Sequence, residues 1–74
     1  MISTRQSAAM LGKVVLVRTD GPIRFEGTIE GYKNSFGQHR WLVAPVSGSG
    51  DQWFESGRFS GPSAKDIFAL EEQS

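Results

Sequence analysis

The sequence predicts an all-β fold, a small barrel of five short antiparallel strands. Three observations support this prediction: a β-branched run at residues 13–18, alternation of apolar and polar residues at 23–31, and turn-forming Gly, Pro, Asp and Asn residues between the candidate strands. A period of two is typical of a half-buried antiparallel strand, and β-branched residues favour strands. Seventy-four residues are enough for one such domain with a small core.

The composition is that of a globular chain, with 38% hydrophobic and 22% charged residues. Eight Lys and Arg balance eight Asp and Glu, so no overall positive field attracts polyanions. The absence of Cys excludes disulfides and thiolate metal sites. No apolar run approaches the roughly 18 residues of a membrane span, and the N-terminal residues are too polar for a secretion signal. We therefore expect a cytoplasmic protein with no membrane partner.

Residues 1–12 show no period-two alternation, and we interpret them as a flexible N-terminal tail. A short helix with Ser3 or Thr4 as its N-cap is the alternative, although an isolated helix of this length is marginal in water. The barrel domain then spans residues 13–71, and residues 72–74 form a flexible C-terminal end.

The first two strands follow directly from the residue pattern. Strand one, residues 13–18, ends at a Thr-Asp-Gly-Pro turn. Strand two, residues 23–31, has two glycines that predict bends or bulges, Gly27 and Gly31. Its alternation predicts one inward face, made of Ile23, Phe25, Gly27 and Ile29.

A polar loop is predicted at residues 33–38, with Phe36 at its tip. Strand three follows at residues 39–46, and Pro45 predicts that it ends or reaches an edge there. Alternation separates its side chains into two faces, Trp41 with Val43 and Leu42 with Ala44. A Ser-Gly-Ser-Gly loop then leads to strand four, residues 52–59, which Ser-Gly interrupts at 56–57.

The last segment is ambiguous between strand and helix. We favour a 3₁₀ turn at residues 63–66 followed by a closing strand at 67–70, because a four-stranded sheet lacks its last member. The helix is supported by a capping-box pattern of Ser63 and Asp66 and by good helix formers. Against it, two glutamates would lie at the negative end of the helix dipole.

This order of elements resembles the SH3-like barrel superfamily, which includes Tudor, chromo-like and KOW-type domains. The resemblance covers residues 13–71 and rests on element order, with no signature motif. It departs from the signalling SH3 domains, whose paired-tyrosine and acidic-loop pattern for proline-rich ligands is missing. The stretch Gln52-Trp53-Phe54 is also similar to the Gln-Ile-Tyr stretch that lines the tetramer pore of the plasmid-borne dihydrofolate reductase, with the aliphatic and tyrosine positions replaced.

No catalytic, metal or cofactor motif is present in the sequence. His39 is the only histidine and the first candidate for general acid-base catalysis, but its neighbour in the chain is Arg40 and no nucleophile or carboxylate lies at a spacing typical of a catalytic site. We interpret it as a solvated or hydrogen-bonded loop residue. One imidazole with scattered carboxylates predicts no metal site, and the glycines match no phosphate-binding motif. We expect a non-enzymatic protein without a cofactor.

The aromatic residues are the most informative set, because eight are more than so small a core can bury. Phe25 is predicted to lie in the core with one member of the pair Trp53 and Phe54, since adjacent strand residues face opposite ways. The sequence does not decide which member is buried. The outward one either packs under the tail or a loop, or it anchors a partner.

The first functional hypothesis is a protein-binding module. Its predicted partner-binding residues flank the polar loop and the fourth strand: Arg24, Tyr32, Lys33, Phe36, His39, Arg40, Trp41 and Trp53. A short reading frame starting at Met1 favours a phage or mobile-element accessory protein. We expect such a protein to bind and modulate a host machine, such as RNA polymerase, as a transcription inhibitor, or a defence nuclease.

Two alternatives remain open. A nucleic-acid-binding barrel would use a basic aromatic patch of Arg18, Arg24, Lys33, Arg40, Tyr32 and Phe36, although zero net charge argues against it. An enzyme with a site at a symmetric oligomer centre is the third hypothesis.

Overall fold

The fold is mostly β and consists of one five-stranded antiparallel sheet. In a computed structural model, which describes residues 2–73, the strands lie in the order β4-β3-β2-β1-β5. Their bounds are β1 Val14–Arg18, β2 Arg24–Ser35, β3 Gln38–Pro45, β4 Gln52–Phe54 and β5 Phe59–Ser60. The predicted β class and the five antiparallel strands are confirmed. Between residues 2 and 73, β4 and β5 are not paired with each other, so the sheet is open.

Strands β1 and β2 pair as a hairpin whose turn is closed by Thr19. The backbone N–H and the Oγ1 hydroxyl of Thr19 both donate to the carbonyl oxygen of Ile23, at 3.3 and 2.8 Å. Ile23 therefore lies in the turn and is 69% exposed, which corrects its predicted place on the inward face. Phe25, Gly27 and Ile29 face inward as predicted, because they share a face with the buried valines of β1.

Strand β2 continues past the predicted end and forms a tight hairpin with β3. The expected loop at 33–38 is wrong: it shrinks to the two-residue turn Phe36-Gly37, with φ of 53° and 80°. Two successive positive φ angles give the turn that matches strand twist. Phe36 stands fully exposed at the tip, as predicted.

A bulge at Glu30 lets the long β2 strand bury side chains on both sides of it. The pairing passes from Ile29 opposite Val43 to Gly31 opposite Leu42, so Glu30 has no counterpart. Strict alternation would turn Tyr32 outward. Because the extra residue shifts the period, both Ile29 and Tyr32 pack on the core side.

The core lies between the concave side of the sheet and the two helices. Its buried side chains are Ile2, Met10, Val15, Val17, Ile29, Trp41, Val43, Phe59, Ala64 and Ile67. Phe25, Tyr32, Phe54 and Leu70 pack against them. The core therefore draws on every strand and on both ends of the chain.

Residues 2–12 pack against the sheet, which corrects the predicted tail. Ser3 caps helix α1, Thr4–Ala8: its Oγ accepts from the backbone N–H of Gln6 and its own N–H donates to the Gln6 side chain. Ile2 and Met10 flank this helix and are buried. The marginal helix is held because its flanking apolar side chains complete the core. Met1 lies outside the described residues.

The last segment is a helix, α2, Pro62–Glu72, and the predicted 3₁₀ turn at 63–66 and strand at 67–70 are wrong. Ala64, Ile67 and Leu70 recur at the helical spacing and face the core. The fifth strand instead comes from residues 52–59, which a 3₁₀ turn, Ser56–Arg58, divides into β4 and the start of β5.

Helix α2 also extends beyond residue 71 into the predicted flexible end. It includes Glu72, and Gln73 caps it by donating its backbone N–H to the carbonyl oxygens of Ala69 and Leu70. Ser74 lies outside the described residues.

Glu71 connects α2 to the sheet and to the 3₁₀ turn. Its Oε2 accepts a hydrogen bond from the indole Nε1 of Trp41 at 2.8 Å, and its Oε1 accepts from the Ser56 hydroxyl at 2.5 Å. Trp41 has no exposed surface, so the indole N–H has no access to solvent and needs this acceptor.

We expect Glu71→Ala to lower the free energy of unfolding by about 1–3 kcal/mol, since it leaves the buried Trp41 N–H without its acceptor. Glu71→Gln keeps an amide oxygen and should lose less. Urea unfolding followed by Trp fluorescence measures both. Glu72→Ala, an exposed neighbour on α2, is the matched control and should leave stability unchanged. Equal loss from Glu71→Ala and Glu72→Ala would contradict this account.

Gly27 is the point where β2 and β3 approach too closely for a side chain. A Cβ at this position would collide with Cγ1 of Val43. We expect Gly27→Ala to destabilise the domain by about 1–3 kcal/mol through overpacking, and Val43→Ala to recover part of that loss in the double variant. Gly57→Ala, where a Cβ would meet open space, is the control for urea unfolding. A Gly27→Ala protein as stable as Gly57→Ala would disprove the close approach.

Candidate partner-binding surface

The convex side of the sheet carries a cluster that we call the Trp53 face, made of Gly31, Lys33, Arg40, Leu42 and Trp53. Cross-strand pairing brings these residues together: Lys33 opposes Arg40, and Leu42 is the neighbour of both Gly31 and Trp53. Directly opposed residues share a face of the sheet. Because Leu42 alternates with the buried Trp41 and Val43, this face points away from the core.

The orientation of Trp53 and Phe54 answers the question that the sequence left open. Trp53 points outward and is 40% exposed. Phe54 opposes Trp41 across the β3–β4 pairing and packs beside Phe25, with ring centroids 6.0 Å apart. Phe54 is therefore the core member of the pair, and Trp53 is the one available to a partner.

The exposed indole is held in place by its neighbours. Lys33 Nζ lies 4.4 Å from the centroid of the Trp53 ring, a cation–π contact. The indole also lies close to β2, because a Cβ at Gly31 would be in ordinary van der Waals contact with it, 4.0 Å from Cη2 of Trp53. An indole that is already ordered loses less conformational entropy when a partner covers it.

Arg40 is fixed at the margin of the same face. Its Nη1 lies 3.3 Å from Oε1 of Glu55, and its Nη2 donates to Oε1 of Gln38 at 3.0 Å. The two cations that oppose each other across β2 and β3 are thus compensated within the chain, Lys33 by an aromatic ring and Arg40 by a carboxylate.

A groove of about 290 Å³ adjoins the Trp53 face. It runs between edge strand β4 and the turn after β1. Its lining includes two ion pairs, Arg40 with Glu55 and Arg58 with Asp20, the second with an N···O distance of 2.6 Å. The groove is lined by Thr19, Asp20, Arg40, Gln52, Trp53, Phe54, Glu55 and Arg58. It therefore combines aromatic surface with equal numbers of positive and negative side chains.

Three of the eight predicted partner-binding residues lie on the core side instead. Tyr32 and His39 are half-buried and share a hydrogen bond of 2.6 Å between the Tyr hydroxyl and Nδ1 of His39. Tyr32 also packs on Trp41, with ring centroids 4.6 Å apart. The predicted partner contact of Trp41 is corrected, because its side chain has no exposed surface.

The other five predicted residues are on the surface but not all in one place. Lys33, Arg40 and Trp53 share the Trp53 face, and Phe36 stands at the hairpin tip. Arg24 lies apart from them, opposite Arg18 in the β1–β2 pairing. The predicted basic aromatic patch is consequently divided between two hairpins.

Sequence reasoning missed Gly31 and Leu42, which belong to the Trp53 face, and Glu55, which pairs with Arg40 at its margin. Leu42 was within reach, because alternation already placed it opposite to the side of Trp41. The role of Glu55 could not be predicted from the sequence, because Glu55 and Arg40 are 15 positions apart and their contact depends on the β3–β4 register.

The described residues provide neither a cluster of metal ligands nor a membrane-spanning helix. Between residues 2 and 73, no three His, Asp or Glu side chains lie together so as to hold a metal ion. No helix in that part of the chain is long and apolar enough to span a bilayer.

Comparison with protein-family models and with curated proteins gives no match to this sequence.

Proposed function

We propose that this chain is a non-enzymatic protein-binding module, built as an SH3-like barrel, that contacts its partner through the Trp53 face. The observation that carries the proposal is the state of the two tryptophans. Trp41 is completely buried in the core, whereas Trp53 is 40% exposed and braced by Lys33. Tryptophan and arginine contribute most to the energetics of protein interfaces.

The surroundings of Trp53 favour a protein partner. The adjoining groove offers aromatic surface next to both signs of charge, with its arginines already paired to Glu55 and Asp20. An aromatic centre with a polar rim is the usual anatomy of a protein interface. We therefore propose that the occupant is a polypeptide segment that places an apolar side chain on Trp53 and polar groups along the groove.

The SH3-like part of the proposal is supported by element order. Four strands followed by a 3₁₀ turn and a short fifth strand are the kind of order that suggested the resemblance, although the turn and the last strand lie at residues 56–60 and not at 63–70 as expected, and the sheet is open. Such small barrels serve many functions, so the fold adds little to the choice of partner. That the partner is a host machine of a phage or mobile element stays a prediction from the sequence.

Nucleic-acid binding is the second candidate, because the Trp53 face combines a stacking ring with Lys33 and Arg40. Two observations make it weaker. Arg40 is neutralised by Glu55, and the formal net charge of the chain is zero, whereas affinity for nucleic acid comes mainly from neutralising phosphates.

We expect Trp53→Ala to abolish recovery of the partner when the protein is used as bait in a bacterial lysate. Loss of a hot-spot Trp costs at least about 2 kcal/mol of binding free energy. A complex of moderate affinity that is weakened by this amount no longer yields the partner in stoichiometric quantity on a gel. The measurement is the amount of co-purified protein per bait, with and without nuclease treatment, and with circular dichroism to verify folding.

Phe68→Ala is the matched control, because Phe68 is an aromatic residue of similar exposure, 37%, on helix α2. It should capture as much partner as the wild-type bait. The proposal fails if the wild-type bait recovers no stoichiometric protein, or if Trp53→Ala and Phe68→Ala recover equal amounts. Capture that disappears after nuclease treatment would favour the nucleic-acid alternative.

A further inference from the structure

A second cluster of cations lies away from the Trp53 face. Arg18 and Arg24 oppose each other directly at the turn end of the β1–β2 hairpin. Like charges in direct cross-strand pairs are destabilising. Arg58, from the 3₁₀ turn, joins them at the same cleft of about 90 Å³, which is lined by Arg18, Arg24, Gly57, Arg58, Phe59 and Ser60.

The chain compensates this cluster only in part. Arg18 donates to the carbonyl oxygen of Gly57 at 3.4 Å, and Arg58 pairs with Asp20, whose side chain is 92% exposed. Among residues 2–73, the side chain of Arg24 forms neither a hydrogen bond nor an ion pair. The lining of the cleft thus holds three guanidinium groups and no carboxylate. Asp20 pairs with one of the three, Arg58, and Glu26 lies on the same face of β2 outside the lining, which leaves two guanidinium groups in the cleft without an ion pair.

The contrast with the other cationic pair indicates that this excess is not a general feature of the surface. Lys33 and Arg40 are also opposed across two strands, but an aromatic ring and a carboxylate compensate them. Arg18 and Arg24 lack both kinds of partner in the part of the chain that is described. A ligand of negative charge would relieve the repulsion between them.

We propose that this cleft is a binding site for a phosphate-type oxyanion. Guanidinium groups present rigid forks of N–H donors that match phosphate oxygens. A phosphate monoester carries about −1.5 to −2 charges at neutral pH, which balances the two guanidinium groups without an ion pair. Donors from three separate backbone positions, on β1, β2 and the 3₁₀ turn, suit a tetrahedral anion better than a planar carboxylate.

The size and isolation of the cleft favour a single phosphate group over a nucleic-acid backbone. A nucleic-acid surface requires a stripe of cations that follows successive phosphates, whereas the nearest comparable pair, Lys33 with Arg40, is already compensated. The ligand is then free phosphate or a phosphomonoester. The proposal does not rest on the proposed function, because Arg18 and Arg24 are not part of the Trp53 face. Arg58 lines both the cleft and the groove beside that face, so it is not varied in the test.

The test is calorimetric titration of the protein with inorganic phosphate, compared with a titration with sodium chloride at equal ionic strength. We expect saturable binding of phosphate, and Arg24→Gln should weaken it at least about tenfold, the loss of one charge-assisted hydrogen bond. Arg5→Gln, which removes the same charge from exposed helix α1, is the matched control and should bind as the wild type does.

Thermal unfolding separates loss of binding from loss of folding. Phosphate should raise the midpoint of the wild type and of Arg5→Gln, and not that of Arg24→Gln. Without phosphate, Arg24→Gln should be at least as stable as the wild type, because it removes one of two opposed charges. The proposal is overturned if chloride reproduces the effect of phosphate, or if both variants bind equally.

Two further probes identify the carrier of the phosphate group. Free phosphoserine that binds more tightly than inorganic phosphate indicates a phosphomonoester ligand, and equal binding indicates free phosphate; either result supports the site. The second probe is a single-stranded oligonucleotide, whose affinity is measured at several salt concentrations. If it binds through Arg24 and the slope of its affinity against salt corresponds to more than about three neutralised phosphates, the single-anion assignment is overturned in favour of nucleic acid.

Discussion

The burial of Trp41 is the constraint on which the rest of this small domain depends. Its ring has no exposed surface, and a buried indole N–H without an acceptor would cost the desolvation free energy of that group. Glu71 supplies the acceptor from the far end of the chain and binds Ser56 with its second oxygen. One carboxylate thereby holds β3, the 3₁₀ turn and α2 in a single arrangement. The position of α2 is therefore set by a polar requirement of the core as well as by the burial of Ala64 and Ile67.

The bulge at Glu30 determines how the two sides of the sheet are used. By shifting the period of β2, it keeps Tyr32 with Ile29 on the concave side and leaves Gly31 and Lys33 on the convex side. Trp53 can then lie over Gly31 and beneath Lys33. The surface that we propose to bind a partner is thus a product of strand register.

Charge is distributed in a way that the balanced composition conceals. Both hairpins carry a directly opposed pair of cations, Lys33 with Arg40 and Arg18 with Arg24. In the first pair, Lys33 lies over the exposed ring of Trp53 and Arg40 forms an ion pair with Glu55. The second pair, with Arg58, retains an excess of positive charge. Two surfaces of different chemistry, one aromatic with side chains of both charges and one cationic, therefore lie on a domain of 74 residues.

Local pattern by itself determined the first four strands and some of their faces, but not the fifth strand. Alternation placed Phe25 and Ile29 inward and put Trp41 with Val43 on one face of β3, without showing that this face is buried. The segment around Phe36 located the hairpin tip, because turn chemistry acts over a few residues. Tertiary structure decided the rest. Residues 2–12 and α2 take their places because the sheet offers apolar surface to Ile2, Met10 and Ile67, and an isolated helix of that length is marginal without such packing. The choice between Trp53 and Phe54 and the meeting of Arg18, Arg24 and Arg58 likewise depend on register and on contacts between residues far apart in the chain, which no local spacing encodes.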